Sequence, residues 1–273
     1  MPEPEAPPHS PPFGLLALWL ETARMLRRHA GDLLRVLLLP ALLQLGLVWL
    51  GTRTAGTGGF WPWLAAIWLS VALFATNCHR VVLGDPGPIR RFAGLWLDTR
   101  VLWYLGWSFL LVLIGLVASV PVLILATMAL PALFPELTPD ERTLLLQGVG
   151  STFMVLLLYF LLRLSLVLPA AALGRDTYPG ESWYLTQGHG WRLVIGLALP
   201  TVATGLVLDG LGRLARMSDS TAVALTVALV ATLAAAVGVV TLSCAWRLLA
   251  PDDGAEPDDP VAGPDDASSA VRA

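Results

Sequence analysis

The residues best equipped for chemistry are the run Asn77-Cys78-His79-Arg80 and two further arginines in apolar surroundings, Arg163 in LRLSL and Arg247 in WRLLA. A guanidinium presents a planar fork of N–H donors that matches the oxygens of a phosphate or carboxylate. A neighbouring imidazole adds a donor or a proton shuttle. Arg80, Arg163 and Arg247, with His79 beside the first, are therefore the candidate site for a lipid headgroup or another anion, provided the fold brings them together. The structural alternative is three separate arginines that snorkel to an interface and fix helix ends, with His79 solvated. An acid–base role would fall to His79, Asp85 or His189, yet no nucleophile–base pair accompanies them. HExxH, GxSxG, Walker and GxGxxG patterns do not occur in the sequence, nor do CxxC pairs or Cys/His clusters at zinc spacing. No catalytic residue, metal or cofactor is expected.

These groups sit in a chain of 273 residues that is 56% hydrophobic and only 14% charged. A soluble domain carries about 25% charged residues to hydrate its surface; a chain solvated by lipid needs far fewer. All seventeen basic residues are arginine, which with the abundant Ala, Gly and Pro reads as the codon bias of a GC-rich genome. The net charge of −3 hides an asymmetry, because the segment after Ala250 holds seven acids and one arginine. No concentrated basic face remains to take a nucleic acid, and none is expected as a partner. Cys78 and Cys244 fall near expected cytoplasmic helix ends, where a disulfide would be reduced.

A membrane-crossing helix needs about 20 mainly apolar residues. Six stretches qualify, at about 33–51, 60–79, 101–127, 144–168, 191–211 and 221–249. The third continues past Pro121 to Phe134 and is expected to tilt or break there. The fourth is followed at once by Pro169, after which AAALG would leave at an angle. Arginines near the helix ends number ten on the N-terminal side (Arg24, Arg27, Arg28, Arg80, Arg90, Arg91, Arg100, Arg175, Arg192, Arg247) against four opposite (Arg53, Arg142, Arg213, Arg216). The positive-inside rule then places both termini in the cytoplasm. The Pro-rich residues 1–13 lack the basic and apolar regions of a signal peptide, so the first membrane helix would serve as the insertion signal. Residues 1–13 and the acidic tail 251–273 have the composition of disorder, leaving 14–250 as the membrane domain.

Residues 15–29 are too short and too charged to span. Leu15, Leu18, Trp19, Thr22, Met25 and Leu26 share one helical face, and Glu21, Arg24, Arg27 and Arg28 share the other. Such a helix is expected to lie in the membrane interface. Its LWLET at 18–22 recurs as LWLDT at 95–99 and more loosely as SWYLT at 182–186, which marks Trp19, Trp96 and Trp183 as interface residues. Each copy precedes a helix carrying a proline (Pro40, Pro121, Pro200), then Arg80, Arg163 or Arg247 at separations of 61, 67 and 64 residues from the Trp, then Asp85, Asp176 or Asp252. The pattern predicts three parallel units, about 15–85, 88–176 and 180–250, each an interfacial helix plus a transmembrane hairpin. The expected fold is an all-α, six-helix membrane bundle with pseudo-threefold symmetry.

ARMLRRHAGDLLRVLLLPALL, HRVVLGD and RLSLVLPAAALGRDTYPGESWYLTQGHGWRL together resemble a group of bacterial six-helix proteins. These are similar to the membrane domain that precedes some glycerophosphodiester phosphodiesterases. The resemblance spans nearly the whole chain outside its tails and rests on loose motifs. It implies a membrane location and a connection to lipid or the envelope; the expected location is the bacterial inner membrane. No phosphodiesterase domain is present in the sequence, so it supplies no catalytic residue.

Depth decides among the remaining functions. Arg35 and Arg163 reach the inner interface and Asp209 the outer one, the latter two after roughly 28 Å and 27 Å of helix at about 1.5 Å per residue. No ionisable group is left at the midplane, where coupled transporters place carboxylates. Gln44, Ser70, Ser151, Thr152, Thr201, Thr204 and Thr226 are expected to bond between helices or to their own backbone. The leading expectation is a non-enzymatic protein that binds membrane lipids or organises other envelope proteins. Its rivals are a channel or uncoupled transporter, which would need a hydrated axial cavity, and an intramembrane headgroup enzyme using His79, Asp85 or His189.

Overall fold

Each of the six apolar stretches forms a long helix in the computed structural model, which describes residues 14–54, 60–84, 98–175, 178–218 and 221–250. The elements are α1 (Leu15–Arg28), α2 (Ala30–Thr54), α3 (Phe60–Val82), α4 (Thr99–Leu133), α5 (Pro139–Leu164), α6 (Val167–Leu173), α7 (Pro179–Leu185), α8 (Gly190–Ser218) and α9 (Thr221–Leu249). No strand occurs among the described residues. Segments 1–13 and 251–273, the 56–59 linker, and Asp85, Trp96, Asp176 and Asp252 lie outside them. Six spans are long and apolar enough to cross a membrane, with α5 and α6 together forming one of them.

The helices pair in sequence as α2/α3, α4/α5 and α8/α9. Helix α3 packs on α2, α4, α6 and α9, and every residue from Ala72 to Val82 is buried. A surface helix buries only one stripe, so α3 is the central column. Around its C-terminal half lie Leu18 and Met25 of α1, Val36 of α2, Ala170 of α6, Leu193 of α8 and Val240 of α9. The core therefore gathers at the end where α3 and α9 terminate and α2, α4 and α8 begin. Towards the other end the apolar side chains point outward, among them Met128 on α4, Met154 on α5 and Leu206 on α8.

Several local features differ from the sequence expectation. Helix α1 does form, but Leu18, Thr22 and Met25 are buried against the bundle rather than turned to lipid. A neighbouring helix competes for the same apolar face and wins. Gly196 of α8 makes the contact close, since a Cβ there would sit 2.7 Å from Leu18 Cδ2. Helix α4 runs unbroken through Pro121 and Pro131 for 35 residues, or about 52 Å. In an apolar medium a proline costs a helix one hydrogen bond without offering water as the alternative. The AAALG segment does not leave the bundle. Helix α6 turns inward, with Pro169 in its first turn, where the missing N–H is not needed, and with Ala170, Ala171 and Ala172 buried. It ends on Gly174 at φ 75°. There Arg175 N–H donates to Ala170 O and Gly174 N–H to Ala171 O, both at 3.0 Å, the paired closure of a Schellman cap.

Polar groups inside the spans bond locally or across helices. Thr232 Oγ1 donates to Gln44 Oε1 at 2.9 Å and Ser70 Oγ to Pro40 O at 3.3 Å. Thr152, Thr201 and Thr226 return to carbonyls four residues earlier. Cys78 and Cys244 are both buried and free.

Candidate interfacial anion site

The three arginines lie at one end of the bundle but do not converge. Arg80, in the last turn of α3, is nearly buried and places Nη1 3.9 Å from Asp98 Oδ2, the residue that opens α4. Asp98 also lies 3.8 Å from Arg100 Nε. Arg247, in the last turn of α9, places Nη1 3.9 Å from Glu21 Oε1 on α1, and Glu21 also pairs with Arg24. Arg163, in the last turn of α5, reaches the end of α7. Its Nε donates to Thr186 Oγ1 at 2.7 Å, Nη1 to Tyr159 Oη at 3.1 Å and Nη2 to the Trp183 carbonyl at 2.8 Å. None of these partners is common to two of the three arginines, which form three separate clasps.

His79 stands apart from all three. It is fully buried, with Nδ1 2.7 Å from Ser243 Oγ on α9 and its ring 5.6 Å from that of Tyr104. Its Nε2 has no partner among the described residues. The sequence places it three residues from a helix end, which reads as a solvated position or one within reach of a headgroup. The central position of α3 removes both, because that helix end is covered on every side.

Arg163 is the unusual clasp. Its residue is only 6% exposed, and among the described residues no carboxylate lies within 4 Å of its guanidinium. The plane stacks on the Trp183 indole, with Cζ 3.4 Å from the ring centroid. Trp183 in turn stacks on Phe160 at 5.6 Å and 7°. Tyr159 lies 4.5 Å from Trp191. Arg163, Tyr159, Trp183 and Trp191 line a cleft of about 560 Å³, together with Tyr184, Thr186, Gln187 and Arg192. The first turn of α8, from Gly190, faces the same space. Gly190 allows the approach: a Cβ there would meet Tyr159 Oη at 2.8 Å and Arg163 Cδ at 3.1 Å. Of the other two interface tryptophans, Trp19 is 40% exposed on α1 and Trp96 is outside the described residues. His189, half-buried ahead of α8, does not line the cleft.

Some contributors were hidden in the sequence. Glu21 and Asp98 occupy the fourth position of LWLET and LWLDT, and the third copy has Leu185 there. That substitution is the signal that could have set Arg163 apart. Tyr159 and Trp191 carry no motif and meet only because α5 and α8 pack together. No cluster of His, Cys, Asp and Glu of metal-holding size occurs among the described residues.

Six membrane-length helices among the described residues, one of them the buried column α3, define an all-α, multi-pass membrane protein. No family model matches the chain, and neither a curated protein nor a solved structure matches it.

Proposed function

We propose that the protein is a non-enzymatic, lipid-binding membrane protein of the bacterial cytoplasmic membrane, built from three repeated units and with both termini on the cytoplasmic side. The architecture supports the repeat in a specific way. Arg80 of the first unit meets Asp98 of the second, Arg163 of the second meets Trp183 and Thr186 of the third, and Arg247 of the third returns to Glu21 of the first. Helix packing follows the same cycle, with α4 on α3, α8 on α5 and α2 on α9. The interfacial motifs thus act first as clasps between units.

The observation that carries the lipid reading is the place and lining of the cleft. It opens at the arginine-bearing end, where α5 ends and α8 begins, and combines a buried guanidinium with four aromatic rings. Tyr and Trp favour the headgroup level of a bilayer, where one edge is wet and the other apolar. A hydrated axial path has less support, because Phe74, Leu166, Ala170 and Val240 fill the space around α3.

Native mass spectrometry of the full chain released from mild detergent tests the reading, with Arg80→Ala, Arg163→Ala and Arg247→Ala for comparison. Retained lipid on the wild type supports it, and a bare protein under conditions that keep the bundle folded refutes it. The three clasps lead us to expect lipid loss from Arg163→Ala alone. A C-terminal green fluorescent fusion checks orientation: fluorescence places that end in the cytoplasm, and its absence at normal expression reverses the topology.

A further inference from the structure

We propose that Arg163 binds the phosphate of an anionic phospholipid, whose oxyanion completes the third clasp in place of the carboxylate that Leu185 does not supply. This rests on the lipid-binding reading above and gives it a ligand class.

The argument begins with charge. Two of the three clasps contain a carboxylate, Asp98 beside Arg80 and Glu21 beside Arg247, each shared with a second arginine. In the third copy of the motif the corresponding residue is Leu185, and all three contacts to Arg163 are neutral oxygens. Yet Arg163 is as buried as Arg80, at 6% against 7% exposure. A buried charge is costly unless it is paired, and Arg247, which has a carboxylate, is the one whose side chain is 53% exposed. The clasp with the greatest need for a counter-charge is therefore the one without it. It is also the clasp that lines a cleft of about 560 Å³.

Geometry narrows the chemistry. A guanidinium has five N–H donors, and the contacts above use one each on Nε, Nη1 and Nη2. One N–H on Nη1 and one on Nη2 remain, a pair suited to two oxygens of a single phosphate. Arg192 lines the same cleft. The first turn of α8 faces it, where helix-initial N–H groups favour an anion. An ammonium headgroup carried in beside that phosphate would meet the Arg163 guanidinium, so an anionic lipid is favoured over a zwitterionic one. The rings of Tyr159 and Trp191 supply the apolar wall along which the glycerol and upper acyl chain would lie.

The test titrates full-length protein in mild detergent with phosphatidylglycerol and with phosphatidylethanolamine of the same acyl chains, read by native mass spectrometry and by lipid-dependent thermal stabilisation. Wild type should prefer phosphatidylglycerol by roughly tenfold or more, the scale of one charge-assisted contact. Arg163→Gln should lose that preference. Arg163→Lys, which keeps the charge but not the planar fork, should weaken it. Arg247→Gln should keep the preference. A wild type that retains lipid without preference overturns this proposal and leaves the broader one standing; a wild type that retains no lipid ends both. A folded Arg163→Gln or Arg163→Lys protein with the full wild-type preference for phosphatidylglycerol also overturns it. If inorganic phosphate alone stabilises the wild type as strongly as the lipid does, the cleft takes free phosphate and the lipid assignment fails.

Discussion

At the scale of single residues, similar arginines in similar contexts have different fates, and what decides is the partner each finds. The arginines themselves were legible, since a cation in an apolar run is conspicuous. Their partners were not, because Arg80 and Asp98 are 18 positions apart and Arg247 closes onto Glu21 from the far end of the chain. His79 shows the same limit from the other side. Its distance from a helix end is local information, but its burial depends on four helices packing around α3. Since His79 Nδ1 bonds only Ser243 Oγ and Nε2 bonds nothing among the described residues, the pair behaves as a structural contact. Ser243→Ala should cost about 1–3 kcal/mol, the penalty for orphaning a buried polar group, seen as a lowered melting temperature in detergent. Lipid retention should be unchanged. A loss of lipid without a loss of stability would instead return His79 to the binding site.

Helices were the most legible level, because the hydrophobic requirement of a membrane span is long and simple. All six appear; five extend beyond their apolar stretch at one end or both, while α9 matches 221–249 at both ends, and the fourth, for instance, starts at Pro139 rather than 144. There Thr138 and Glu141 form a capping box, so polar residues begin a helix that a hydropathy reading starts later. Local breakers misled most. Pro121 does not end α4, whereas Gly174, an unremarkable residue in AAALG, terminates α6. Gly174→Ala should destabilise by about 1–2 kcal/mol, since a side chain is disfavoured at positive φ and its Cβ would lie 3.0 Å from Arg100 Nε. Gly148→Ala is the matched control. It sits within α5 with nothing inside 4 Å of an added Cβ, so it should be neutral or gain up to about 1 kcal/mol of helix propensity. Thermal melts of the two variants check both signs, and equal effects would mean that the left-handed cap of α6 contributes little.

For the whole molecule, the cyclic order of the clasps has a consequence for connectivity. Each proposed unit crosses the membrane twice, so it starts and ends on the same side. Units can therefore be reordered around the cycle without inverting any helix. Helix α9 ends against α1, which brings the described ends of the chain, Gly14 and Ala250, to the same end of the bundle. A circular permutant that begins at residue 88, with the native tails 251–273 and 1–13 joined as the linker, should insert with every helix in its original direction. It should melt within about 1 kcal/mol of the native chain, which for a protein of this size is a few degrees. A second permutant opened at 55–59, between α2 and α3, retains every contact but places both new ends on the opposite face. It also makes α3 the first helix to insert, with its arginine trailing rather than leading. That chain opposes the positive-inside rule and should fail to accumulate as monodisperse protein. The two permutants differ only in where the cycle is cut, so equal success or equal failure would show that the chain is not organised as three closed two-helix units. Success of the first alone would make the hairpin, with its interfacial motif and closing arginine, the unit of folding.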